Sequence, residues 1–394
     1  MKVLRLLKVA DIKMIRALVM RNGSAVVELC SVVVPRFLLA AFIIIGLSMQ
    51  SQDSWAQEYE QNGFIKEDLA SLRHSFPVAE DWSFENLSRA MLYAHEIGSS
   101  AVIILHDGKL VLEWGKTNLR MYSHSVRKSL LSALYGIAID RGLIDLNTTI
   151  GELGIDDRPP KLSEQEKQAT ILDLLQSRSG IYHEASAESE QMKRERPSRG
   201  VFRPGEHWYY NNWDFNVLGT IFELKTDIPI GQAFKEWIAN PIGMQDFRAE
   251  DVHYRWEKVS LYPSYSFWIS ARDLARFGQL YLQFGKWQDQ QVVPEDWIYA
   301  STFPFSKAYD GLGYGLMWWT HSNEAYYAHG YMGQFIIVIP DTKVVIINRV
   351  FTGTPSMRNV SGKVKEELEP YVRPVGRQQM RRLVDLILAA MPSS

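Results

Sequence analysis

Apolar residues at Leu87, Ala90, Met91 and Ala94 recur at helical spacing and predict a helix over Phe84–Ile97. The period then changes. Two apolar runs, Ala101–Leu105 and Leu110–Trp114, flank Asp107-Gly108, and Asp-Gly between apolar runs predicts a β-hairpin. Ser125–Arg141 returns to helical spacing through Val126, Leu130, Leu131, Leu134, Ile137 and Ala138, with Gly142 suited to the C′ position. From about 145 to 250 the pattern is one of helical patches joined by polar, Pro- and Gly-containing loops, clearest at Ile171–Leu175 and Trp213–Leu224. A further helix is predicted over Ala271–Phe284.

Strand character returns late. Tyr314–Trp319 reads as one strand, and Gln334–Ile339 and Val344–Val350 flank the turn-rich tetrad Pro340-Asp341-Thr342-Lys343. Gly376–Met391 closes the chain as an amphipathic helix. Strands thus sit on both sides of a helical block. The expected fold is α/β (α+β): an antiparallel sheet flanked by N- and C-terminal helices, with a mostly helical lobe, about 145–255, inserted into it.

The first 56 residues have a different character. Basic residues run from Lys2 to Arg36, an apolar run follows from Phe37 to Leu47, and Ser54-Trp55-Ala56 offers small residues for a cleavage site. That order predicts a secretory signal peptide and a periplasmic or secreted protein. The apolar run is shorter than the roughly 20 residues of a spanning helix. Left uncleaved, the leader would be an N-terminal anchor and a membrane tether. Residues 57–394 then form the working domain, beginning with a polar, irregular stretch to about residue 80. Cys30 is the only cysteine and lies in the leader, so the domain has no disulfide, thiolate nucleophile or cysteine zinc site. A hydrophobic fraction of 46% allows a large core, and a net charge of −2 argues against a nucleic-acid partner.

Chemistry enters at Ser125-Val126-Arg127-Lys128. A Ser-x-x-Lys spacing at a helix start places the lysine almost one turn above the serine on the same face. If burial and nearby cations favour its neutral form, the amine can take the hydroxyl proton, and the helix N-terminus offers N–H groups to a developing oxyanion. Two common residues three apart arise by chance, but Lys128 is the only lysine with a serine three positions before it. Tyr210-Asn211-Asn212 adds a Tyr-x-Asn element. The Tyr210 hydroxyl suits a proton relay, and Asn212 a contact to a substrate carbonyl or to the lysine. Tyr209 is the rival for the tyrosine role, and both also fit an aromatic core cluster. The third element, His329-Gly330-Tyr331-Met332-Gly333-Gln334, precedes a strand. It offers a backbone N–H to an oxyanion and, in His329, a hydrogen-bonding group. His124, beside Ser125, is assigned to structure. No His-Glu-x-x-His, P-loop or Gly-x-Ser-x-Gly motif competes.

In this order the three elements resemble the serine β-lactamase and penicillin-binding-protein superfamily. The likeness is strongest to its class C-like branch of esterases, D-amino-acid peptidases and 6-aminohexanoate-dimer hydrolase. Supporting phrases are Leu174–Ile181, Ser270–Gly278 and Gly313–Trp319, and the likeness covers roughly residues 80 to 370. It implies a β-lactamase-like fold and an exported serine hydrolase acting on a small ester, amide or peptide-like substrate without metal or cofactor. By the same likeness Ser125 would be the acylated nucleophile, Lys128 its base and Tyr210 the acid/base partner. The N–H groups of Ser125 and Tyr331 would form the oxyanion hole, with Asn212, His329 and Gly330 beside it. Ser179-Gly180 and His183-Glu184 resemble a rim loop. Where the superfamily has Lys-Thr-Gly or His-x-Gly, this chain reads His-Gly-Tyr. That departure points away from β-lactams and D-alanyl-D-alanine and toward esters and amides. The alternatives are a catalytically weak binder of cell-wall peptide, or a true β-lactamase or D,D-peptidase.

Overall fold

Strands from the two ends of the chain meet in one antiparallel sheet. The computed structural model describes residues 81–321, 325–355 and 373–392, all within one compact unit, Val78–Ser394. The leader and the polar stretch to residue 80 lie outside the described residues. In chain order the strands are β1 (Ala101–His106), β2 (Lys109–Gly115), β3 (Met121–Tyr122), β4 (Val252–Arg255), β5 (Ser264–Ile269), β6 (Lys286–Trp287), β7 (Gln290–Gln291), β8 (Ser306–Lys307), β9 (Gly313–Tyr314), β10 (Trp319–Thr320), β11 (Tyr326–Gly330), β12 (Gln334–Ile339) and β13 (Val344–Arg349). The helices are α1 (Phe84–Glu96), α2 (Val126–Asp140), α3 (Ile171–Leu175), α4 (Glu190–Glu195), α5 (Asn212–Thr226), α6 (Ile230–Phe234), α7 (Ala271–Leu282), α8 (Glu295–Thr302) and α9 (Arg377–Leu388). The main sheet has the order β2-β1-β13-β12-β11-β10-β9-β8, so β13 closes directly on β1. A smaller sheet, β3-β5-β4, stands beside it.

The expected hairpin forms at Asp107-Gly108. Both residues have positive φ (48° and 78°), as a two-residue turn matched to strand twist requires. Tyr314–Trp319 is not the single strand its apolar run predicts. Gly315 N–H donates to Trp318 O at 2.8 Å and Met317 turns at φ 65°, so β9 and β10 pair as a tight hairpin.

One face of the sheet is covered by α1 and α9, through Leu87, Met91, Leu383 and Ile387 packed on Val102, Ile104, Phe335, Ile337 and Ile346. On the other face α7 crosses β13, β12 and β1. Beside it runs α2, in contact with β11 and β12 of the sheet and with α5, α6 and α8. Every residue from Val126 to Ile139 is buried, which is why this helix reads apolar nearly all round. Its polar positions are bonded: Ser129 and Ser132 hydroxyls donate to the Met317 and Leu316 carbonyls at 2.8 and 2.7 Å. The close packing is testable at Gly136, where an added Cβ would lie 2.3 Å from Cγ of the fully buried Trp297 on α8. Gly136→Ala is expected to destabilise the fold by about 1–3 kcal/mol. A denaturant midpoint equal to the parent's would show that α2 and α8 are not packed this way.

Candidate active site

The start of α2 is a sharp turn. His124 has a left-handed backbone (φ 48°), uncommon outside glycine though histidine adopts it more readily than most. Tyr122 and Tyr331 stand edge-on to its ring at 4.3 and 5.5 Å. Its pKa is lowered to about 3, first by burial and then by Arg349 and Lys128. It is therefore a neutral wedge rather than a base. The N–H groups of Val126, Arg127 and Lys128 bond back to the carbonyls of Ser123, His124 and Ser125. Ser125 sits at the N-cap position but makes no capping bond, so its hydroxyl is available.

Lys128 Nζ lies 2.8 Å from Ser125 Oγ. The lysine is 2% exposed and looks onto the rings of Tyr210 and Phe215, 4.9 and 4.8 Å from their centroids. No carboxylate pairs with it among the described residues. Burial lowers its pKa well below the usual lysine range, and Arg127 lowers it further. That shift favours the neutral amine, the form that can accept the serine proton.

Tyr210 stands on the same side of the pocket, its ring under the Lys128 amine that contacts Ser125. Burial raises its pKa, offset in part by Ser125 and by Arg127, which favours the protonated phenol. The ring stacks on Trp319 at 5.4 Å and meets Phe215 at 5.0 Å. Ser177 aims it. The Ser177 hydroxyl donates to Tyr209 O at 2.6 Å and accepts from Asn211 N–H at 3.1 Å, gripping the backbone on both sides of Tyr210. Tyr209 points elsewhere, its hydroxyl donating to Met192 O at 2.6 Å.

Asn211 caps α5, its Oδ1 accepting from Trp213 N–H at 3.0 Å. Asn212, the first residue of α5, donates through Nδ2 to Ala187 O at 2.7 Å, and its buried Oδ1 has no partner in the protein. Ser179 donates to the fully buried Asp214 at 2.6 Å, fixing the 179–181 loop to α5. His183 is buried between the carbonyls of Glu184 and Arg158, each 3.0 Å from a ring nitrogen.

The third element needs a correction of face. On β11, His329 stands opposite Phe335 and stacks on its ring at 4.3 Å. Phe335 belongs to the core shared with α1 and α9, so His329 lies on the sheet face away from α2, and the structure does not bring it to Ser125. Burial and Arg377 lower its pKa to about 4. Gly330, one residue on, lies against the nucleophile turn. A Cβ there would be 2.4 Å from Ser123 O and 3.2 Å from His124 Cβ. The close-approach glycine that ends the motif is therefore Gly330. Ala328, two residues earlier on β11, shares the side of the sheet that Gly330 turns toward Ser123. Tyr331 follows, its side chain 63% exposed at the rim. Turn, loop and cap hydrogen bonds leave the N–H groups of Ser125 and Tyr331 without an acceptor among the described residues.

Sequence reading missed the roles of Ser177, Trp319 and Arg127. Only Arg127, inside the tetrad, carried a signal: a charged residue on a stripe otherwise buried. Among the described residues no cluster of three or more His, Cys, Asp or Glu could hold a metal, and no helix is long and apolar enough to cross a membrane.

The family model described as Beta-lactamase matches residues 84–361. Among solved structures, a protein designated a 6-aminohexanoate-dimer hydrolase, from Bacillus anthracis, superposes with TM-score 0.55 at 18% identity, over 76% of this chain and 80% of that one. A penicillin-binding-protein homologue from Caulobacter crescentus superposes with TM-score 0.56 at 14% identity, over 80% and 99%. At these identities the likeness is one of fold. A 50-residue stretch, 13% of the chain, is 32% identical to a protein designated a pterin-4-alpha-carbinolamine dehydratase in Hahella chejuensis (strain KCTC 2396), of which it spans 45%. The Beta-lactamase match spans far more of the chain than this stretch does.

Proposed function

The chain belongs to the beta-lactamase family of serine hydrolases, and from that premise we propose that it cleaves a small ester, amide or peptide-like substrate through an acyl-enzyme on Ser125. The observation that carries this is the 2.8 Å contact between Ser125 Oγ and a lysine amine buried without a counter-ion. As Oγ attacks the carbonyl carbon, its proton passes to Lys128 Nζ and the carbonyl electron pair moves onto oxygen. The N–H groups of Ser125 and Tyr331 receive that oxyanion. Collapse restores the carbonyl and breaks the bond to the leaving alcohol or amine. Tyr210 gives the leaving group its proton and is recharged from the Lys128 ammonium. Water then attacks the acyl-enzyme by the same route, releasing the acid and returning the proton to Ser125.

Ala328, in the place where a motif lysine would face the site, supports esters and uncharged amides over substrates recognised by a carboxylate. Export by the leader, to the periplasm or beyond, with or without retention as a tether, belongs to the same proposal. The test is intact-mass analysis after exposure to a fluorophosphonate. One adduct per chain is expected on Ser125 and none in Ser125→Ala. Across p-nitrophenyl esters, D-amino-acid amides and nitrocefin, the esters or amides are expected to turn over faster than nitrocefin. A chain that takes no adduct and turns over none of them refutes the proposal.

A further inference from the structure

Arg127 sits between the valine and lysine of the tetrad and, unlike most arginines, is buried, at 4% exposure. Its guanidinium lies 4.1 Å over the ring of Tyr265 on β5. Nη2 donates to Oδ1 of Asn216 on α5 at 2.8 Å, and Nη1 finds no acceptor. A buried guanidinium normally meets a carboxylate, which offsets the cost of removing the charge from water. Here an amide stands where a carboxylate of the same shape would fit. The cation is bonded but not neutralised.

From this geometry we infer that Arg127 is a positioning residue for the Ser125–Lys128 pair: a buried, uncompensated cation one residue before the lysine on the same helix sets how readily that lysine takes the serine proton. The inference rests on the reading of Ser125 and Lys128 as the catalytic pair. Two like charges in a dry site repel strongly, and of the two groups only lysine can shed its proton. Lys128 meets Ser125 and Arg127 from its own helix, His124 from the preceding turn, and Tyr210 and Phe215 from the α5 side. Tyr265 from β5 faces Arg127. The buried carboxyl of α5, Asp214, is bonded to Ser179 and Asn211. None of the hydrogen-bond or ring contacts of either cation is to a carboxylate among the described residues. The same cation offsets part of the rise that burial imposes on the Tyr210 pKa.

The test is the pH profile of kcat/KM on an activated ester. Its acid limb reports loss of activity as Lys128 gains a proton. Asn216→Asp places a carboxylate against the guanidinium and leaves Arg127 in place, at the cost of the bond from Asn216 Nδ2 to Ser186 O. Arg127→Gln removes the charge outright. In both, lysine protonation becomes easier, so the limb is expected to move up by about one pH unit, with activity below the limb falling about tenfold and recovering at higher pH. Arg127→Lys, which keeps a cation, is expected to hold the limb near its parent position. A residue with only a packing role would lower activity at every pH without moving the limb. An unmoved limb in a folded Asn216→Asp protein overturns the inference while leaving the acyl-enzyme reading intact. A parent protein that hydrolyses no ester overturns that reading, and this inference with it.

Discussion

Ser125→Ala and Lys128→Met are each expected to lower kcat/KM on an activated ester by on the order of 10⁴-fold, and the double variant by little more. The non-additivity follows from the geometry. Oγ and Nζ are 2.8 Å apart and share one proton between them, so either loss disables the same step. Lys128→Arg is expected to fail as badly, although it keeps charge and length, because a guanidinium does not give up its proton at any working pH. Lys128 is already buried among Tyr210, Phe215 and Ser125, so methionine fills its place at small cost in packing. Steady-state rates across pH for the parent, both single variants and the double variant provide the check. Multiplying losses in the double variant, or Lys128→Met within tenfold of the parent, would remove lysine from the role of base.

Much of this site could be read in the chain, and the parts that could not share a physical cause. The tetrad announces itself because a helix puts residues three apart on one face, whatever surrounds it. Asp107-Gly108 is equally local, since its turn depends on two residues' backbone preferences. Choosing between Tyr210 and Tyr209 is not local. Neighbouring aromatics of the same kind are separated only by Ser177, some thirty positions earlier, which grips the backbone around Tyr210 and leaves Tyr209 to Met192. The apolar run Tyr314–Trp319 hides a hairpin because Gly315 and Met317 supply a turn without any polar residue to mark it. The third element offers His329 for the site, and the structure turns it to the opposite face of the sheet. In a strand a one-residue slip moves a side chain to the other face of the sheet. A histidine looks more chemical than an alanine, yet partner strand β12 sets the face, and it pairs His329 with Phe335.

That register makes a sharp contrast between two neighbouring substitutions. Gly330→Ala is expected to lower kcat by on the order of 10²–10³-fold, the usual effect of losing one oxyanion donor. The new Cβ would stand 2.4 Å from Ser123 O, 3.0 Å from Gln334 Cβ and 3.2 Å from His124 Cβ. Ser123 O is itself the acceptor for Val126 N–H in the first turn of α2, so it cannot yield without disturbing Ser125. The end of β11 must therefore withdraw, carrying the Tyr331 N–H away from the Ser125 N–H while Ser125 and Lys128 keep their contact. Labelling by fluorophosphonate is expected to slow in parallel, because its addition also builds negative charge on oxygen. His329→Ala removes a ring from the opposite face, stacked on Phe335 and remote from the nucleophile turn. It is expected to cost some stability and to leave kcat close to that of the parent. If His329→Ala proves the more damaging to kcat of the two, the face assigned to β11 is wrong and the histidine belongs in the site.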